Sequence, residues 1–203
     1  MEVLTNKIQN LKAASAAISP QRKELLLQIS KAIQSAIQLE KSAQLLFVCT
    51  HNSRRSQIAQ IWAAILAEHY GLPIEAYSGG TEVTQIHPTV VKVFEKYGLE
   101  FTSTTASKNP RYTLHLERSR LSLFSKLYDA ATNPSENFIA LMTCSEAAEN
   151  CPFIPGSRQR FAFSFEDPKI HDGTSVEFSA YENTATEIGR ELVYVFERFN
   201  QLF

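Results

Sequence analysis

The sequence predicts an α/β fold: a four-stranded parallel sheet flanked by helices, with an N-terminal helical hairpin in front of it. Three observations carry that expectation. Leu45-Leu46-Phe47-Val48 and Phe138-Ile139-Ala140-Leu141-Met142 are short continuous apolar runs of the kind found in strands buried on both faces. Amphipathic stretches with helical spacing lie between such runs, the alternation that a parallel sheet with crossover helices requires. The first 40 or so residues hold two helical stripes and no strand pattern. At about 150 residues per domain, a chain of 203 residues fits one domain with an appendage. The expected division is an extension over 1–43 and a main domain over 44–203.

In the extension, Leu4, Ile8, Leu11, Ala14 and Ile18 recur at steps of three and four, and Leu26, Ile29, Ile33 and Ile37 continue the pattern. Ser19-Pro20 between them reads as an N-cap followed by proline at the first helical position. The stripe must be buried on the main domain or on a second copy of the chain, so the hairpin is expected to be a packing or dimerisation arm.

After the strand at Leu45–Val48, a helix is expected from Ser56 to about His69, a strand over Ile74–Ser78, and a helix over Pro88–Tyr97 that stops at Gly98. Residues 105–136 break this rhythm. Tyr112, Leu114 and Leu116, then Leu121 and Leu123, alternate as in a hairpin inserted into the core. Phe138–Met142 is the third strand, Phe161–Phe165 the fourth, and roughly Glu182–Asn200 the last helix.

Composition narrows the function. Hydrophobic residues at 44% and charged residues at 20% belong to a globular chain. Lys+Arg 20 against Asp+Glu 21 leaves no basic excess for nucleic acid. No apolar run approaches the roughly 20 residues of a membrane span, and residues 2–20 are too polar for a secretory signal. A cytoplasmic setting, where thiols stay reduced, is therefore expected, and it makes Cys49, Cys144 and Cys151 the informative residues.

Chemistry concentrates in Cys49-Thr50-His51-Asn52-Ser53-Arg54-Arg55-Ser56, entered from a strand and left by a helix. Ligands bind beyond the carboxyl ends of strands in such sheets. A short loop at a helix N-terminus aims its N–H groups, and the positive end of the helix dipole, at an oxyanion. Those groups and a nearby guanidinium favour Cys49 as thiolate. Arg55 can return across the bowl to clamp two oxygens. Ser56 is placed to donate to the sulfur and Asn52 to tie the loop's backbone.

This loop resembles the signature of the low-molecular-weight protein tyrosine phosphatases and of the thioredoxin-coupled arsenate reductases that share their fold, over roughly Leu45–Phe199. The resemblance implies Cys49 as nucleophile, Arg55 as oxyanion clamp, Asn52 and Ser56 as loop supports, and Asp167, in Asp167-Pro168, as general acid. Thr143-Cys144 through Cys151-Pro152 resembles the redox segment of the reductases, which favours that branch. It implies that Cys49 attacks arsenate, Cys144 then forms a disulfide with Cys49 as arsenite leaves, and Cys151 takes the disulfide to Cys144–Cys151 for a thioredoxin-type reductant. The alternatives are a phosphatase that hydrolyses phosphate monoesters through a Cys49 phosphocysteine, and a non-enzymatic thiol sensor.

Some positions depart from the family pattern. His51 stands where many members have Gly, and Arg54, often Cys or a small residue, adds positive charge beside the bowl. Gln60 and Lys108 stand where carboxylates would support a potassium site found in some relatives. The five histidines form no metal-ligand spacing, and no bound cofactor is expected.

Overall fold

The computed structural model describes residues 2–104, 107–150 and 153–200, so Cys151 lies outside the described residues. In chain order the elements are α1 (Glu2–Ala14), α2 (Pro20–Glu40), β1 (Ala43–Cys49), α3 (Arg55–Tyr70), β2 (Ile74–Gly80), α4 (Pro88–Lys96), β3 (Glu100–Thr104), β4 (Arg111–His115), β5 (Arg120–Leu123), β6 (Phe138–Met142), α5 (Ser145–Asn150), β7 (Ser157–Phe161) and α6 (Glu177–Asn200). Short 3₁₀ turns fall at Ser15–Ala17 and Pro168–His171.

The main sheet has the order β2-β1-β6-β7, and all three pairings are parallel. β1 lies inside it, and Leu45, Leu46, Phe47 and Val48 are wholly buried, because helices cover one face and α5 with its flanks the other. Leu45 and Phe47 join the large cluster under α1, α2, α3 and α6, while Leu46 and Val48 join a smaller one with Cys144 and Ala147. Register sets the site: Cys49 lies opposite Gly80, and Val48 opposite Met142. Both chemical cysteines of the described chain therefore emerge at the carboxyl ends of adjacent strands.

The arm packs on its own chain. Ser19 caps α2 by accepting from the Arg22 amide at 3.2 Å, and Ile8, Leu11, Ile18, Leu26, Ile29 and Ile33 enter the same cluster as Trp62 and Phe196. Burying each such side chain contributes about 1.5–3 kcal/mol, so together they rival the whole net stability of an ordinary domain. Of the two burial partners the sequence left open, the structure uses the main domain.

The hairpin expected within 105–136 exists as β4 and β5, paired antiparallel. It is widened by a third strand, β3, which begins at Glu100 and pairs with β4. β3 is largely exposed and carries one large apolar residue, Phe101, so no apolar run marks it. Leu114 and Leu123, both fully buried, dock this small sheet on the core.

Two boundaries differ from expectation. The fourth strand is Ser157–Phe161 and not Phe161–Phe165. β7 is an edge strand of four polar residues and one phenylalanine, with Arg158 and Gln159 exposed and Ser157 and Arg160 half-buried, so its pairing leaves no apolar signature. The Phe161, Phe163, Phe165 alternation does bury Phe163 and Phe165, but β6 ends at Met142. Among the described residues that stretch is tied there by the Phe165 amide to the Thr143 carbonyl at 3.2 Å and by the Ser164 hydroxyl to the Met142 carbonyl at 3.4 Å, not by a strand ladder. α6 starts at Glu177, five residues early, because Glu177 accepts from the Gly173 amide at 2.7 Å and from the Thr89 hydroxyl.

Candidate active site

The loop from Cys49 to Arg55 joins the last residue of β1 to the first of α3. Its carbonyls are tied outward. Thr50 O accepts from the Glu82 amide at 2.9 Å, and His51 O from the Ser125 hydroxyl at 2.9 Å and the Thr84 hydroxyl at 3.1 Å. Asn52 O accepts from the Gln57 side chain at 3.1 Å, and Ser53 O from the His87 amide at 3.0 Å. Each peptide plane then aims its N–H the other way, and among the described residues the amides of 51–54 find no backbone carbonyl acceptor. Successive amides on one side of a loop form an anion-binding concavity, with the dipole of α3 behind it.

Asn52 holds the curve. Its φ of 46° is left-handed, which Asn tolerates better than most residues. Its side-chain oxygen accepts from the Lys126 amide at 2.9 Å, and its amide donates to Ser56 Oγ at 2.8 Å. The Ser56 hydroxyl hydrogen is then available to Cys49 Sγ, 3.0 Å away. Gly80 makes room, since a Cβ there would sit 2.6 Å from the Thr50 carbonyl.

Arg55 is buried. Its Nη1 donates to the Phe165 carbonyl at 3.0 Å, and its Nη2 pairs with Asp167. Nε has no partner among the described residues, a buried donor left to be satisfied by an acceptor from outside the chain. Asp167 is delivered by the irregular segment after Phe165, not by a strand end. Its other oxygen accepts from the Lys169 amide at 3.1 Å and so caps the Pro168–His171 turn.

Cys144, 1% exposed, precedes α5, and its Sγ accepts from the Ala147 amide at 3.3 Å. Thr50 bridges the two strand ends, with its hydroxyl 3.7 Å from Cys144 Sγ and donating to Glu146 at 2.9 Å. A cleft of about 530 Å³ brings Arg55, Cys144, Glu146 and Asp167 to one wall set.

Arg54 does not add charge to the bowl as the sequence suggests. It turns away, donating to the Tyr181 hydroxyl and to Asp172, each at 2.5 Å. Tyr181 also donates to Asp172 at 2.7 Å, and His87 stacks on Tyr181 with its Nε2 3.7 Å from Asp172. Burial pulls the Asp172 carboxyl upward, but Tyr181 and Arg54 outweigh it and hold it below the usual range. Burial, then Arg54, hold the His87 imidazole below its ordinary value. Sequence inspection misses Asp172, Tyr181 and His87, since only the fold brings them to Arg54. His51 stays on the rim, 3.4 Å from Glu82. Gln60 uses both ends of its amide, accepting from Ser78 at 2.6 Å and donating to Ala76 O at 3.0 Å. No three His, Cys, Asp or Glu side chains among the described residues converge as a metal site.

A parallel sheet whose inner strand ends in a cysteine, followed by an amide-lined loop and a helix-initial arginine, is an arrangement suited to an oxyanion, and makes this loop the candidate active site. Residues 44–116 match the family described as low molecular weight phosphotyrosine protein phosphatase. Over that stretch, which holds β1, the Cys49 loop, α3, β2 and α4, the chain is similar to that family. An arsenate reductase of Halalkalibacterium halodurans is 26% identical over 147 residues, 72% of this chain and 89% of that protein. One from Bacillus licheniformis is 27% identical with the same coverage. The fold is shared with a low molecular weight phosphotyrosine phosphatase from Vibrio cholerae O395, at a TM-score of 0.52 and 17% identity, covering 79% of this chain and 99% of that one.

Proposed function

We propose that the chain is an arsenate reductase-like enzyme, with its chemistry in residues 44–203 and the 1–43 arm as support. The observation that carries this reading is the position of Cys144. It follows the strand adjacent to that of Cys49 and lies against Thr50, the residue after the nucleophile. Adjacent strands run about 4.8 Å apart, and a disulfide takes Cα separations of about 4.4–6.8 Å.

Arsenate enters the amide-lined loop and meets the unpartnered Nε of Arg55. Cys49 thiolate attacks arsenic, and an oxygen leaves as water with a proton from Asp167. Cys144 thiolate then attacks Cys49 sulfur; the sulfur–arsenic bond breaks with its electron pair on arsenic, which leaves as arsenite. Cys151 attacks Cys144, releases Cys49 thiolate, and forms a Cys144–Cys151 disulfide that a thioredoxin-type dithiol reduces. A reducing compartment such as the cytoplasm suits this cycle.

α5 sets a condition on the last exchange. A helix carried on to position 151 would hold the two Cα atoms about 10 Å apart, beyond the roughly 7 Å a disulfide spans. α5 must unwind as Cys151 closes. The second reading, a phosphatase, is favoured by the burial of Cys144 in the small apolar cluster, since Cys49, Arg55 and Asp167 alone would serve it.

Single Cys→Ser variants separate the readings. The reductase loses thioredoxin-coupled arsenite production when Cys49, Cys144 or Cys151 is changed. A phosphatase keeps para-nitrophenyl phosphate turnover unless Cys49 is changed, and a sensor signals with Asp167→Asn as well as without it. Amide exchange of residues 145–150 that is identical in the reduced and oxidised proteins would refute the relay.

A further inference from the structure

Beside the edge of the main sheet, where Gly80 of β2 bridges to Leu127, lies a cavity of about 440 Å³ lined by Ser107, Asn109, Arg111, Phe124, Ser125 and Lys126, with Val83, Leu127 and Ala130. Two cations share one aromatic ring there. The Arg111 guanidinium carbon is 3.8 Å from the Phe124 centroid, and the Lys126 ammonium is 4.8 Å from it.

Lys126 is only 6% exposed. Among the described residues neither charged group has a hydrogen bond or an ion pair, and no carboxylate lines the cavity. Burial, helped by Arg111, pulls the Lys126 amine down to about 8. A buried charge is ordinarily paired. Arg111 is exposed, but Lys126 is buried with a second cation on the same ring and no carboxylate lining the cavity, an arrangement an anion resolves. The ring contributes cation–π attraction but no countercharge.

We propose that Arg111 and Lys126 form a second oxyanion site, distinct from the Cys49 loop, that takes a phosphoryl or similar tetrahedral dianion between the guanidinium fork and the ammonium. The arrangement suits that class: Arg grips two oxygens in plane and Lys supplies a compact point charge.

The site is joined to the catalytic loop through backbone. The Lys126 amide donates to Asn52 Oδ1 at 2.9 Å, and the neighbouring Ser125 hydroxyl donates to the His51 carbonyl at 2.9 Å. Asn109, from the other wall, holds Ser125 by both amide ends, at 2.7 and 3.2 Å. An anion that fixes Lys126 therefore stiffens the contact that sets Asn52 in its left-handed turn.

The test uses inorganic phosphate and full-length protein. Arg55→Met removes the clamp of the first bowl, so phosphate binding to this variant, followed by calorimetry and by the amide resonances of Asn109, Phe124 and Lys126, reports the second site. Saturable shifts of those resonances, with affinity at least ten-fold weaker in Arg55→Met/Lys126→Met and in Arg55→Met/Arg111→Met, are expected. Equal affinity in all three, or no saturable shift, overturns the proposal. Denaturation midpoints of the variants check that they fold, and Lys126→Arg, which keeps the charge, should retain binding. Adenosine monophosphate distinguishes the source: tighter binding than inorganic phosphate assigns the site to a phosphoryl group on a larger molecule, and equal binding assigns it to the free anion.

Discussion

Replacing Arg54 with Met tests whether the fifth position after Cys49 works by holding the turn that follows Asp167, the general acid in the proposed reaction. The Arg54 side chain is 13% exposed and its partner Asp172 28%. Breaking a buried ion pair by removing one partner costs about 3–5 kcal/mol. Solvent reaches part of Asp172 and screens the pair, so the cost falls to the lower end of that range or just below it, about 2–3 kcal/mol. The Pro168–His171 turn runs from Asp167 to Asp172, so losing the tie at Asp172 loosens Asp167 at the other end. The cradle's own carbonyl anchors are untouched. The cost of the broken pair falls on folding, and only the part of it that misplaces Asp167 reaches the barrier. We expect a barrier rise of about 1.4 kcal/mol, which lowers kcat about ten-fold, with KM little changed.

The same variant moves two titrations. Arg54 is the second force holding His87 down, after burial, while Asp172 and Glu177 pull it up, so the His87 midpoint read by NMR should rise. Asp172 is depressed in the fold, and its contribution to stability is therefore full above its ordinary 3.8 and lost as pH falls through the folded value. Without Arg54 that acid-side loss shrinks in denaturation curves. A His87 titration identical to wild type, together with unchanged kcat, would refute the positioning role.

Two further outcomes follow from buried charges. Arg22 bonds Glu191 through Nε at 3.0 Å to each oxygen, donates to the Ser164 carbonyl at 3.2 Å, and lies over Phe163 and Phe165. Arg22→Met strands the buried Glu191 carboxylate and should cost about 3–5 kcal/mol in urea unfolding, with Glu191→Gln added to it restoring a part. Lys126→Met should stabilise the protein at pH 7 by up to about 3 kcal/mol, the free energy of a fall from 10.5 to about 8. The penalty is full below pH 8 and vanishes as pH rises to 10.5, because there the unfolded chain alone still holds the proton; a difference that does not close over that window would contradict the burial argument.

The arm's contribution was visible in outline only. Its stripe and its Ser19-Pro20 cap are local patterns, but that Arg22 reaches the segment leading to Asp167 is a contact between residues 142 apart in sequence. β7 illustrates the converse. An edge strand is paired on one side and wet on the other, so Ser157–Phe161 carries no apolar run, while the alternating phenylalanines after it mimic a strand that has no partner left.

The sequence by itself determined the elements with periodic burial, the loop from Cys49 to Ser56, and the placing of Cys144 after a strand, because each depends on residues within a turn or two of one another. The tertiary structure alone decided that Arg54 leaves the bowl for Asp172 and Tyr181, that Arg55 meets Asp167, and that Arg111 and Lys126 share one ring. Those outcomes depend on which strands are neighbours and where each one stops. Spacing along a chain does not encode the distance between side chains that only the packing of distant segments brings together.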